Sequence, residues 1–290
     1  MRLLSYEHQG QESYGALVGN DGVVDLRRAL GGRHADLQAL IAADAFGETA
    51  AALAGRAPDL ALGALTVLPV IPRPGKIWCC GLNYHEHVRE TQREVTAKPM
   101  YFQRVADSQV GHGQAIALPA ESTQLDFEGE LAVIIGKPGR RIPEARAFEH
   151  IAGYACYNDG SIRDWQRHTQ QFGPGKNFWR TGGFGPWMVT ADEIPPGTVM
   201  TLVTRLNGQE MQRATTDMMI HGIAQQLAYL STIAPLRAGD VVVTGTPGGV
   251  GARREPPVWM KPGDVVEIHI DRVGVLRNPV CAEGDLPASV

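Results

Sequence analysis

Leu125-Asp126-Phe127-Glu128-Gly129-Glu130-Leu131, continued by Ala132-Val133-Ile134-Ile135, is the stretch on which the reading of the whole chain turns. Side chains on a strand alternate between faces. Asp126, Glu128 and Glu130 therefore share one face, and Leu125, Phe127 and Leu131 share the other. The four residues that follow form an unbroken apolar run of the kind a buried strand carries. Carboxylates leading into such a strand repel one another and need a cation or a proton to be tolerated. The other reading is an edge strand with a solvated acidic face, because buried carboxylates are normally paired.

Downstream, Tyr157-Asn158-Asp159-Gly160-Ser161-Ile162-Arg163-Asp164 follows a predicted strand over Gly153–Asn158. Asp159 stands at the strand end, where a functional carboxylate could sit, although Asn-Asp-Gly-Ser is equally good turn chemistry. Taken together, Glu128, Glu130 and Asp159 make an all-oxygen donor set. Hard oxygen donors suit Mg²⁺ or Mn²⁺, and Ca²⁺ less specifically. Zinc prefers His or Cys, and neither falls here. Three carboxylates fill half of an octahedron and leave positions for water and for the oxygens of a chelating 2-oxo acid.

Upstream, Gly81-Leu82-Asn83-Tyr84-His85-Glu86-His87-Val88-Arg89-Glu90 reads as a strand end passing into a helix, with Asn83 as the predicted N-cap. His87 and Glu90 then lie at i, i+3 on one face. A carboxylate beside an imidazole orients it and raises its basicity, which a general base near neutral pH requires. A solvated surface helix gives the same spacing. His85 and Glu86 fall off that face and are read as solvated.

The rest of the chain frames these segments. Its 290 residues, with 43% hydrophobic content, suffice for a catalytic domain over residues 71–290 and a small α+β N-terminal domain over residues 1–70. In the N-terminal part, strands are predicted at Tyr14–Val18 and Gly22–Leu26 and a helix at Ala35–Ala54, with Val67–Pro74 as linker. Beyond it, short apolar runs alternate with Gly/Pro/Asn/Asp turns, so the domain is mainly β with some α. Strands are predicted at Lys76–Cys80, Met100–Arg104, Phe127–Ile135, Gly153–Asn158, Trp187–Thr190, Met200–Leu206, Asp240–Thr244 and Asp264–Ile270, and a helix at Met218–Ser231. The tail after Cys281 is expected to be loose. A net charge of −4 argues against a nucleic-acid partner. No apolar run reaches the ~20 residues of a membrane span, and the N-terminal stretch turns polar after four residues, which points to a cytoplasmic protein. The four cysteines form no C-x-x-C pair and are read as reduced thiols. Gly245–Gly251 lacks the Gly-Lys-Ser/Thr of a nucleotide-binding loop, and there is no G-x-S-x-G elbow.

Four motifs, in order, resemble the fumarylacetoacetate hydrolase family: DFEGELAVIIGK from Asp126, YNDGSIRDWQ from Tyr157, Gly175-Lys176, and TGTPGGVG from Thr244 with Met260-Lys261-Pro262-Gly263-Asp264. The resemblance covers roughly residues 71–280. It implies a mixed β-sandwich roll and a homodimer, with Glu128, Glu130 and Asp159 binding Mg²⁺ (or Mn²⁺). It implies a His87–Glu90 lid pair that activates water, and places Lys176, by itself as easily an exposed loop residue, where it neutralises a substrate carboxylate or enolate. Arg104 stands where the family often has a second site lysine; an arginine fork keeps carboxylate binding but is a poor proton carrier. Thr246, Arg163 and Arg180 are further candidates for the substrate's carboxylates, and Trp179 either floors an apolar pocket or packs. The expected activity is hydrolysis of a C–C bond in an acylpyruvate-type 2-oxo (1,3-dicarbonyl) acid, in a setting of aromatic-compound catabolism. The alternative is decarboxylation, isomerisation or tautomerisation of a related oxo acid such as oxaloacetate or a hydroxymuconate. A non-catalytic metal-binding module is the contrasting class, and the complete residue set argues against it.

Overall fold

The computed structural model describes residues 1–287. The strand Gly129–Ile135 runs through the middle of a 12-stranded sheet and is buried along its whole length. The main path of that sheet is Leu60–Ala61, Gly22–Asp25, Gln11–Val18, Arg2–His8, Gly182–Thr190, Ile151–Asn158, Gly129–Ile135, Val241–Val243, Ile77–Gly81 and Met100–Arg104. Both faces are covered, which is why the run after Glu130 is continuously apolar. Leu131, Val133 and Ile135 pack with Leu202, Ile268 and Leu276 of a second, five-stranded sheet. Ala132 and Ile134 pack instead with Leu37, Leu40 and Ile41 from the N-terminal region. Between the two sheets, a Cβ on Gly129 would lie 2.1 Å from Thr204 Oγ1, so only glycine fits between the two glutamates. The chain is thus a mainly-β mixed sandwich roll of the expected class.

Three expectations need correcting. Residues 1–70 are not set apart from the rest. Arg2 and Leu3 pair with Val189 and Met188, and Leu3 and Tyr14 share a core with Ala155 and Phe184. The N-terminal strands extend the central sheet, whose edge would otherwise be left unpaired. The helix expected over Ala35–Ala54 is two helices, Leu37–Ala42 and Phe46–Leu53. Asp36 caps the first, and it ends in a Schellman turn: Asp44 takes a left-handed φ of 51° and Ala45 N–H donates to Leu40 O. The strand expected from Phe127 starts only at Gly129, because Glu128 N–H donates to the Asn158 side chain rather than to a ladder partner.

The helix expected at Met218–Ser231 occupies Ile223–Ile233, entered through Gly222. The strands Arg2–His8, Gln209–Thr215 and Gly274–Ala282 were not anticipated. After Cys281 the chain forms a short 3₁₀ turn at Glu283–Asp285, so part of the tail expected to be loose is ordered; its last three residues lie outside those described. All four cysteines are free. Among the described residues no helix is long and apolar enough to cross a membrane.

Candidate active site

The acidic face is assembled by strand register. Gly129 pairs with Asn158 and Glu130 with Tyr157 in the antiparallel ladder. Asp159 N–H donates to Glu128 O one step further on, so Glu128, Glu130 and Asp159 emerge on one face. Each is buried, and one ligand atom from each lies within 4.8 Å of the others. Asp126, the fourth acid, is turned away: it accepts the backbone N–H groups of Gly251 and Ala252 and pairs with Arg163.

Three buried cations stand among these acids. Lys176 Nζ bridges Glu128 at 2.5 Å and Asp159 at 2.7 Å. Arg163 spans Asp126 and Glu128. Arg104 Nη1 donates to Asp159 Oδ1 at 2.5 Å and to Gly160 O, and its remaining nitrogens go to Ser108 and Thr181 Oγ1. This corrects the expectation for Arg104. Its guanidinium is fully engaged behind Asp159 and is absent from the cavity wall, so it orients a carboxylate of the protein and not one of a ligand. Arg180 is corrected too. It lies outside the cavity, stacked over the adjacent Trp179 ring at 5.3 Å, and Trp179 does not line the cavity either. Arg163 and Thr246 do line the cavity, but the Thr246 hydroxyl is engaged with Gly129 O and Gln212.

The charge balance is one short. Asp126, Glu128, Glu130 and Asp159 face Arg104, Arg163 and Lys176, and every one of the seven is buried. Burial opposes ionisation of Glu128, yet Arg163 and Lys176 hold its carboxyl well below the ordinary range. Glu130 has no paired cation. Burial, with the neighbouring Asp159 and Glu128 charges, pushes its carboxyl well above the ordinary range. Oε2 accepts the N–H of Gly245, a residue at φ 107°, and Oε1 has no hydrogen-bond partner among the described residues. An under-neutralised oxygen cluster on a cavity wall fits a small divalent cation, and Glu128, Glu130 and Asp159 are the residues that would hold it.

His87 lines the same cavity as the acids. The helix His85–Glu90 buries His87 and leaves His85 and Glu86 exposed, as expected from the spacing. His87 Nδ1 lies 2.7 Å from Glu90 Oε1, while Glu90 Oε2 accepts Gly249 N–H at 2.8 Å. The pair is therefore locked to the Gly-rich loop, with Nε2 as the ring's remaining nitrogen. Asn83 does not cap this helix. It is wholly buried, and its side chain exchanges hydrogen bonds with His221 and Thr244, fixing the strand end from which the helix departs. One cavity of about 650 Å³ is lined by His87, Glu128, Glu130, Asp159, Lys176, Arg163 and Thr246 together. The sequence reading missed its rim: Arg93, Arg167 and Arg253, with the rings of Tyr101, Phe102 and Phe172. No local signal marks these arginines, which come from three separate segments.

Residues 76–281 match the family described as Fumarylacetoacetate (FAA) hydrolase C-terminal. The chain belongs to the fumarylacetoacetate hydrolase family. It is 39% identical over 231 residues to the oxaloacetate tautomerase FAHD2A, mitochondrial, of Bos taurus, covering 79% of this chain and 74% of that one. The structure of 5-carboxymethyl-2-hydroxymuconate delta-isomerase from Mycobacterium smegmatis superposes with a TM-score of 0.78 at 29% identity, over 98% of this chain and 100% of that one. Maleylpyruvate hydrolase from Sphingobium sp. SYK-6, in complex with manganese(II) and pyruvate, superposes at 0.79 with 27% identity, over 97% and 99%. Members of this family are enzymes, and the matched span contains every candidate site residue named above.

Proposed function

We propose that the chain is a Mg²⁺- or Mn²⁺-dependent enzyme that interconverts the keto and enol forms of a 2-oxo acid, working as a homodimer. The observation that carries this reading is the convergence of an oriented imidazole, a buried lysine and an under-neutralised carboxylate triad on one cavity. The sequence alone put hydrolysis first; a relative 39% identical and named a tautomerase reverses the order. A divalent ion held by Glu128, Glu130 and Asp159 would supply Lewis acidity to the oxo and carboxylate oxygens of the acid.

The protein's own groups do the rest. His87 Nε2 takes a proton from the carbon next to the carbonyl. The C–H electron pair moves into the carbon–carbon bond and the carbonyl pair onto oxygen, where return of a proton gives the enol. Glu90 acts through His87, holding the tautomer with Nε2 free to accept. Lys176 offsets negative charge at the reacting end. C–C hydrolysis is the second reading, favoured by the same dyad: Nε2 could equally take a proton from water attacking the distal carbonyl.

The test is a Mg²⁺-supplemented panel of oxaloacetate, fumarylpyruvate and acylpyruvates, followed by enol absorbance and product mass. Faster enol decay without change of mass supports tautomerisation, and cleavage products support hydrolysis. No turnover of any oxo acid would overturn both.

A further inference from the structure

The loop after Val241–Val243 holds both halves of the site through two backbone amides. Gly245 N–H donates to Glu130 Oε2 at 2.5 Å, and Gly249 N–H donates to Glu90 Oε2 at 2.8 Å. One amide aims a member of the carboxylate triad, and the other aims the acid that orients His87. The loop between them is held from the second sheet. Gln212, on the strand Gln209–Thr215, is 2% exposed and is absent from the cavity wall. Its Oε1 accepts Gly129 N–H at 3.0 Å, and its Nε2 donates to Thr246 Oγ1 at 2.8 Å and to Pro247 O at 2.9 Å. A backbone N–H only donates and a carbonyl only accepts, so Gly129 and Pro247 fix which way round the Gln212 amide lies. The Thr246 hydroxyl, receiving that Nε2 proton, turns its own proton to Gly129 O at 3.1 Å. A closed ring of hydrogen bonds thus runs from the glycine between Glu128 and Glu130, through Gln212, to the loop and back. Arg254 adds a second strap, donating to Gly249 O and to Met211 O.

We propose that Gln212 is a positioning residue for the reaction: from outside the cavity it holds the carboxylate face and the His87–Glu90 pair in register through the loop Thr244–Gly249. The inference rests on the oxo-acid reading above, in which both groups act on one substrate. The triad stands on interior strands and the imidazole on a short helix, so their alignment depends on what bridges them. A loop released at Thr246 and Pro247 would let Glu130 and Glu90 shift independently. Misplacing a reacting group by ~1 Å costs on the order of 10²-fold in rate. Loss of the Gln212 amide also leaves Gly129 N–H and Pro247 O buried without their partner, which drives both out of place.

Gln212→Met keeps the length of the side chain and removes its hydrogen bonds. By hydrogen exchange of the Mg²⁺-loaded protein, the Gly245 and Gly249 amides should lose at least about tenfold in protection, while Ala132 and Val133 in the central strand keep theirs. Calorimetric titration should show Mg²⁺ affinity weakened roughly 3–10-fold, less than for a direct partner of a metal ligand. With an oxo acid that wild type turns over, kcat at saturating Mg²⁺ should fall about 10–100-fold and KM change less than about threefold. In a Glu90→Ala background the same substitution should cost at least about threefold less in kcat, because the two residues act along one path. Gln212→Asn, whose amide is one methylene too short to reach Gly129 and the loop together, replaces a Met variant that fails to fold, with the same local loss of protection expected. Protection unchanged at Gly245 and Gly249, or lost in step with Ala132 and Val133, overturns the positioning role. So do losses in kcat that simply multiply across the cycle. Wild type turning over no oxo acid overturns the reading beneath the proposal, and the exchange and Mg²⁺ measurements then decide by themselves whether Gln212 holds the loop.

Discussion

Replacing Glu130 by Gln should stabilise the metal-free protein and destabilise the metal-loaded one. The site holds four buried carboxylates against three buried cations, and Glu130 is the acid left without a paired cation. At pH 8 its ionised form cannot cost more than the work of protonating it, about 5 kcal/mol from an ordinary carboxyl pKa of ~4.3. Attraction to Lys176 and the bond from Gly245 offset part of that. Gln keeps an acceptor for Gly245 and carries no charge, so the metal-free variant should gain roughly 1–3 kcal/mol. For a chain of this size that raises Tm by roughly 2–6 °C in EDTA.

The pH dependence has a fixed sign. A carboxyl whose folded pKa is raised binds its proton more tightly in the folded state, so wild-type stability falls as pH climbs above the unfolded value of ~4.3. The advantage of Gln should therefore be absent near pH 4 and grow toward pH 8. Mg²⁺ at a hundred times its Kd adds about 2.7 kcal/mol to wild type, and much less to a variant lacking one charged ligand. Differential scanning calorimetry of both proteins, in EDTA and in Mg²⁺ at pH 5 and pH 8, should show the order of Tm values crossing. A Glu130→Gln protein that melts below wild type in EDTA at pH 8, with the same Mg²⁺ response, would refute the charge argument.

Other outcomes follow from the same geometry. His87→Ala should lower kcat by roughly 10²–10⁴-fold and leave the Mg²⁺-induced rise in Tm intact, because His87 is not among the carboxylate donors. Arg104→Met should remove one of the two buried cations paired with Asp159, leaving Lys176, and cost up to about 3–5 kcal/mol, read as a fall in Tm and weaker Mg²⁺ binding; Arg180→Ala should change kcat/KM less than about twofold. Gly129→Ala should destabilise by roughly 1–3 kcal/mol through overpacking, and adding Thr204→Ala should recover part of the lost Tm. Sedimentation equilibrium at micromolar concentration should show a dimer; a monomer alone would remove that part of the proposal.

The sequence carried Glu128 and Glu130 because their spacing and the apolar run behind them are both local, and Leu125, Phe127 and Leu131 share one core; the break at Phe127–Glu128 that turns Asp126 away depends on contacts with Asn158 and the Gly251 loop, distant in the chain. It carried the geometry of the His87–Glu90 pair for a similar reason, since an i, i+3 contact is built within one helix turn. Roles that depend on which wall a residue faces were out of reach. Arg104 ends a predicted strand and reads as a ligand-binding cation, but only the tertiary fold shows Asp159, Gly160 and Thr181 closing over it. Asn83 has the right chemistry for a cap and spends it on His221 and Thr244, distant in the chain. The strand Arg2–His8 hid because Leu3, Leu4, Ser5 and Tyr6 are all buried, so it lacks the alternation that exposes a one-sided strand.

The carboxylate donors and the rim arginines belong to parts of the molecule with different tolerance for change. Glu128, Glu130 and Asp159 are set by the pairing of two interior strands, where a one-residue slip would send every side chain to the opposite face. Arg93, Arg167 and Arg253 sit on connecting segments, which accept substitution and insertion far more readily. Changes in those three segments would therefore reshape the mouth of the cavity while the strand register that sets the acids stays as it is. A lineage built this way would diversify in substrate before it diversified in chemistry, and swapping those loops between relatives is the shortest engineering route to a new preference.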